Sequence, residues 1–216
     1  MTADRFIIIY DTYCGWCYGA APMFDALVES GVEVEVLHRN LFRDLNRPRL
    51  SDGKGAAIIE SDAKIAALTG RHFSQSYIDG VVLSQSEVLD STYTAHAAAL
   101  VHELGVEREF SLRKRLENNR FTQGISAQDR DSVVNALLDE GLSENSACRV
   151  GSEDLAKVAD ATASRASQLM SQVGSTSVPT ILRVSDGTLE VIDHSAYYGN
   201  PTAIKQLATR NANPVG

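Results

Sequence analysis

The chain predicts an α/β protein in which one sheet is assembled from both ends of the sequence, with an all-helical segment inserted between them. Three observations lead there. Residues up to about 41 read as strand, helix, strand. Residues from about 151 onward read as helix, strand, strand, helix. The stretch between them carries helical periods and almost no strand signal. The two ends must pair to complete the sheet. The expected organisation is therefore a discontinuous domain, 1–41 with 151–216, and an inserted helical domain, 42–150.

Each element has its own signal. Arg5–Asp11 is a short apolar run rich in Ile, with no alternation, as expected of a central strand buried on both faces. From Cys17 the pattern turns helical, with Met23, Leu27 and Val28 at helical spacing and Gly31 as a C-cap. Val32–His38 alternates Val and Glu, predicting a strand with one solvated face. A β-α-β unit of this kind is right-handed, with parallel strands.

In the middle, helices are expected over Ala56–Thr69, Ser91–Leu104, Glu107–Phe121 and Ala127–Glu140, each closed by a nearby Gly, with Ser126 and Asp129 in an N-cap pattern. No proline falls between Pro48 and Pro179, which suits a helical bundle. Ser152–Val173 is the longest helix, its apolar stripe marked by Leu155, Val158, Ala159, Thr162, Ala166, Leu169 and Val173. A strand over Pro179–Val184 turns at Asp186-Gly187 into a second over Thr188–Ile192, and a helix over Pro201–Thr209 follows.

Composition narrows the function classes. The 216 residues are 44 % hydrophobic and 22 % charged, an ordinary globular balance, with a net charge of −8. That acidity argues against a general nucleic-acid binder or an anionic-lipid binder. Phe6–Tyr10 is too short for a signal-peptide core or a membrane span, so a cytoplasmic protein is expected. Three cysteines do not make a disulfide scaffold, and in a reducing compartment a close pair points to catalysis or metal.

That pair lies in Asp11-Thr-Tyr-Cys-Gly-Trp-Cys-Tyr-Gly19. Cys14 falls where strand meets helix and Cys17 one turn inside, on a shared helix face. Unpaired N–H groups and the macrodipole favour an anion at Cys14. The thiolate is the nucleophile in disulfide exchange, so Cys14 is expected to attack and Cys17 to resolve the mixed disulfide. A metal site would need about two further ligands. Cys148 and the scattered His38, His72, His96, His102 and His194 form no second close pair, so no metal is expected. Cys148 is expected to be a buried small hydrophobe, and each histidine a surface or satisfied core residue.

These residues resemble a known family. A buried strand, Cys14-Gly-Trp-Cys17 at the head of the first helix and Val178-Pro179-Thr180 opening a late strand resemble the thioredoxin fold, and the helical block resembles the DsbA-type insertion. Cys-x-Trp-Cys-x-Gly with Asp11 upstream, Phe121-x-x-Gly124 and Gly174…Thr180 most resemble the DsbA-like group of predicted dithiol–disulfide isomerases. The resemblance implies that the Val178-Pro179 bond is cis and faces the dithiol, with Val178 offering backbone groups to an extended substrate. Trp16 is expected to be exposed beside the active sulfur, where it can contact apolar substrate, with core packing as the rival role. The chain departs from the pattern in carrying Gly15 where relatives often have Pro, Trp16 where DsbA has His, and Ile8 where thioredoxin and DsbA bury an acid. With fewer groups to stabilise the thiolate, a less oxidising couple than DsbA's is expected, favouring reductase or isomerase work.

The expected function is thus a thiol–disulfide oxidoreductase or isomerase. Its partners would be protein or small-molecule thiols and disulfides, with no cofactor beyond the Cys14–Cys17 pair and glutathione as a candidate reductant. Two rival classes remain. Kappa-type glutathione transferases and 2-hydroxychromene-2-carboxylate isomerases share the scaffold but usually place Ser at the first Cys, and a non-catalytic binding module would hold a dithiol that does not cycle. Oligomeric state is not readable from the sequence.

Overall fold

The computed structural model describes residues 4–210, so 1–3 and 211–216, the outer ends of the expected discontinuous domain, lie outside the described residues. Four strands form one sheet in the order β2-β1-β3-β4. β1 (Arg5–Tyr10) runs parallel to β2 (Glu33–His38) and antiparallel to β3 (Thr180–Ser185), which pairs in turn with antiparallel β4 (Thr188–Ile192). Ile8 sits opposite both Val36 and Ile181, so the two ends of the chain meet across β1. Phe6 to Tyr10 are all buried, because a central strand covered on both faces has no solvent side. In β2 the expected alternation fades: Val36, Leu37 and His38 are all buried once the chain passes beneath the helices.

Helix α1 (Gly15–Glu29) starts earlier than its apolar period, which puts Cys14 at the N-cap. Pro22 lies inside it. Proline has no N–H, so the Tyr18 carbonyl loses its usual donor one turn back. Met23, Phe24 and Leu27 of α1 pack into the sheet core with Ala166 and Met170 of α8 (Glu153–Gln172) and Ile204 and Ala208 of α9 (Pro201–Arg210). Ser152 caps α8 by accepting the Leu155 N–H. The buried stripe of α8 is Leu155, Ala159, Ala163, Ala166 and Met170. Val158, expected on that stripe, is 48 % exposed because the helix turns its small Ala face inward.

Between β2 and α8 the chain is helical, as its pattern foretold: α2 (Lys54–Thr69), α3 (Gln75–Tyr77), α4 (Thr92–Val101), α5 (Val106–Phe121), α6 (Arg130–Asp139) and α7 (Glu144–Ala147). Some details differ. The N-cap of α6 is Asp129, not Ser126, because the Asp129 carboxylate accepts the Ser132 N–H at 3.0 Å. The short α3, running into a wide turn over Ile78–Val82, carries too few periods to be read in the sequence. The same is true of α7. Cys148, expected to be buried, is exposed at the end of α7, where Ala147 takes the core position instead. Gly124 has φ +73°, and a Cβ there would lie 2.4 Å from the Ser76 carbonyl oxygen, so only glycine lets the chain after α5 pass α3. Among the described residues no helix is long and apolar enough to cross a membrane.

Candidate active site

The loop after β1 is built by its own backbone and by Asp11. The Asp11 carboxylate is fully buried and accepts two backbone N–H groups, from Tyr13 at 2.9 Å and Leu41 at 2.7 Å. It therefore ties the cysteine loop to the chain leaving β2. His38, at the end of β2, supports the same loop. Its Nδ1 accepts the Asn40 N–H at 3.1 Å, and its Nε2 meets Thr12, 3.3 Å from the backbone N–H and 3.2 Å from the hydroxyl. Burial lowers its pKa and holds the ring neutral.

Cys14 and Cys17 are free thiols, both buried. Cys14 is 8 % exposed and Cys17 is fully covered. Burial pushes the Cys17 thiol well up, and its hydrogen bond to the Cys14 sulfur pushes the same way. The Asp11 N–H donates to the Cys17 sulfur at 3.5 Å and opposes that rise, while the Asp11 charge adds to it. The two thiols thus differ in kind. Cys14 sits at the positive end of α1 with an opening to solvent, and Cys17 is a protonated thiol beneath it.

From the far end of the chain, the Val178 carbonyl lies 3.7 Å from the Cys14 sulfur. The Val178-Pro179 bond is cis. Trp16 is half-buried. Its ring meets Tyr198 edge-on at 5.6 Å, and the Tyr198 hydroxyl donates to the Trp16 carbonyl at 3.2 Å. Tyr198 is a site residue that sequence reasoning missed, since no motif links it to the cysteines. Burial, then the charges of Cys17 and Cys14, raise its phenol.

Cys14 opens onto a groove of about 740 Å³. Tyr13, Gly15 and Trp16 form one wall with Leu41 and Phe42, and the other comes from Lys54, Ile58 and Asp62 of α2 with Tyr77, Leu89 and Arg120. Arg120 is buried and pairs with Glu87 at 3.0 Å. Asp62 and Tyr77, joined by a 3.1 Å hydrogen bond, were also not foreseen. Among the described residues no three His, Cys, Asp or Glu side chains gather as a metal site.

The model of the DSBA-like thioredoxin domain matches residues 6–195. The chain belongs to this family. The fold is similar to that of the cytosolic disulfide reductase DsbM from Pseudomonas aeruginosa, with a TM-score of 0.83 and 26 % identity over 94 % of this chain and 96 % of that one. The same reductase solved with GSH superposes with a TM-score of 0.78 and 27 % identity over 94 % of this chain and 96 % of that one. A crystal structure from Nitrosomonas europaea shares the fold at 16 % identity, with a TM-score of 0.75 over 96 % of each chain. No curated protein sequence matches significantly. In this DSBA-like chain Cys14 and Cys17 are neighbours in space as a Cys-x-x-Cys site requires, and the match to a disulfide reductase covers nearly its whole length.

Proposed function

We propose that the protein is a cytoplasmic thiol–disulfide reductase that uses Cys14 as nucleophile and Cys17 as resolving thiol, with glutathione as its reductant. The observation that carries this reading is the asymmetry of the pair: Cys14 opens onto the groove at the head of α1, above a fully covered, protonated Cys17. The Cys14 thiolate attacks one sulfur of a substrate disulfide and displaces the other as a thiolate. Cys17 gives up its proton and attacks the Cys14 sulfur, releasing the second substrate thiol. The substrate gains two electrons, and the enzyme is left with a Cys14–Cys17 disulfide. Two glutathione thiols return those electrons and leave as glutathione disulfide. The structure of DsbM with GSH supports glutathione as the reductant.

Val178 and Pro179 form the backbone edge against which an extended substrate lies, and Trp16 supplies an apolar contact beside the sulfur. Isomerase work follows from the same chemistry whenever Cys14 attacks a protein disulfide and is displaced before Cys17 acts. The sheet, from 1–41 and 151–216, and the helical insertion, 42–150, act as two domains with the groove between them.

The test is glutathione-coupled reduction of a small disulfide. Cys14→Ser is expected to abolish it, and Cys17→Ser to accumulate a mixed disulfide on Cys14. Full activity in Cys14→Ser would overturn the proposal. Equilibration with glutathione tests the direction: the couple is expected within the cytosolic range, ~−220 to −320 mV, and a value near DsbA's ~−120 mV would make the protein an oxidant instead.

A further inference from the structure

The groove holds one acidic side chain that the exchange steps leave without a role. Asp62 of α2 is buried, and its Oδ2 accepts the Tyr77 hydroxyl at 3.1 Å. Its other oxygen, Oδ1, lies against the first turn of α1. A Cβ built on Gly15 would stand 2.8 Å from Oδ1 and 3.2 Å from the Ile65 methyl. That contact is too close for carbon and oxygen, so glycine at this position lets the carboxyl approach the helix head. Helix α1 has no acidic residue in its own first turn and no side-chain cap. Its positive end is therefore offered to two acidic groups, the Cys14 thiol at the N-cap and the Asp62 carboxyl from the neighbouring helix.

We propose that Asp62 is a positioning residue for the dithiol: seated against Gly15, its carboxylate competes with the Cys14 thiolate for the head of α1 and holds the couple on the reducing side. The inference rests on the oxidoreductase reading above. Like charges that share a site disfavour one another. A less favoured thiolate means a less stable reduced dithiol, which gives up its electrons more readily.

The charged and titratable groups around Asp62 come from several elements. Tyr77 of α3 donates to it, and Lys54 at the head of α2, Tyr13 and Cys14 at the N-cap of α1 line the same groove. Arg120 of α5 adds positive charge but is already paired with Glu87. Burial raises the Asp62 carboxyl to about 6, against the Tyr77 hydrogen bond and the Arg120 charge, which lower it. The group is therefore ionised at neutral pH and becomes neutral within reach of mild acid.

The experiment is the pH dependence of Cys14 alkylation by iodoacetamide in the full chain. It is read on the Cys14 peptide, because Cys148 is exposed. The wild-type profile is expected to show an added inflection near the Asp62 titration. In Asp62→Asn that inflection disappears and alkylation at pH 7 rises about threefold to tenfold. The equilibrium with glutathione moves about threefold to tenfold toward the reduced dithiol, ~15–30 mV for this two-electron couple. Gly15→Ala shifts both readings the same way, and Tyr77→Phe moves the inflection to higher pH without removing the charge. Wild-type values in Asp62→Asn, or shifts of opposite sign, overturn the proposal. If Asp62→Asn does not fold, an unmoved inflection in Tyr77→Phe overturns it. Exchange that is lost in Cys14→Ser but insensitive to Asp62→Asn removes only the Asp62 assignment, whereas exchange retained in Cys14→Ser removes the oxidoreductase reading itself.

Discussion

Around the sheet, Phe6, Ile8, Phe24, Leu27 and Leu182 form an apolar core. Across the groove, helix α5 buries charge just as deeply: Arg113 reaches Glu117 at 2.9 Å and Asp25 at 3.0 Å, and Arg120 reaches Glu87 at 3.0 Å. The contrast teaches where each half is fragile. An apolar core loses stability in proportion to the atoms removed. A buried ion pair loses most when one partner is removed, because the other is left charged and dry.

Single truncations give the largest expected effects. Phe24→Ala should cost about 3–5 kcal/mol. Glu87→Ala should cost a similar ~3–5 kcal/mol, since the carboxylate serves Arg120, the Ser126 hydroxyl and the Ala127 N–H together. Urea denaturation measures both. The halves should then part company: adding Arg120→Met to Glu87→Ala is expected to recover a large share of the loss, because no unpaired charge remains. A loss below about 1 kcal/mol in Glu87→Ala would break the comparison.

Opposite responses to pH sharpen it further. On the sheet side, His38 has a lowered folded pKa, so the unfolded chain binds more protons below about 6.5 and stability falls with acid in that window. On the helical side, the Asp62 carboxyl is raised to about 6, so the folded chain binds more protons between the ordinary carboxylate value and that point. Its contribution is present at low pH and is lost as pH rises toward 6. Asp62→Asn is therefore expected to stabilise the protein by about 1–3 kcal/mol at pH 7 and by little at pH 4. His38→Asn should flatten the acid side of the curve. Denaturation midpoints across pH 4 to 7.5 would check both, and the same slope in Asp62→Asn as in wild type would contradict the first.

The smallest expected effect is at a helix end shared by neither core. Ser152→Ala removes the α8 cap and should cost ~1 kcal/mol, with exchange activity unchanged. Thermal unfolding at pH 7 reads it directly.

Much of this contrast was hidden in the sequence. Val-Glu-Arg-Glu-Phe-Ser-Leu-Arg-Lys-Arg-Leu-Glu-Asn-Asn-Arg-Phe, which forms α5, is legible as a helix from its period, but nothing in it marks Glu109, Arg113, Glu117 and Arg120 as buried. They are buried because α5 has neighbours on several sides, including α1, α4, α6 and β2. Val158 erred the other way, apolar in composition but placed where nothing covers it. Of the site, Cys14, Cys17, Val178 and Pro179 were visible because each belongs to a short motif. Asp62, Tyr77 and Tyr198 were not, because nothing in their own neighbourhoods marks them.

The sequence by itself determined the order of the longer elements, the placing of the dithiol at a helix head and the pairing of the chain ends. Apolar periods, Gly and Pro positions and N-cap residues act within a few residues of themselves, so they can be read locally. Only the tertiary structure decided which sulfur is covered, that Cys148 is exposed and that a carboxyl from α2 rests on Gly15. The Cys14 sulfur and the Val178 carbonyl meet across 164 positions of chain. Contacts of that separation are set by how helices and sheet close on one another, and no local pattern records them.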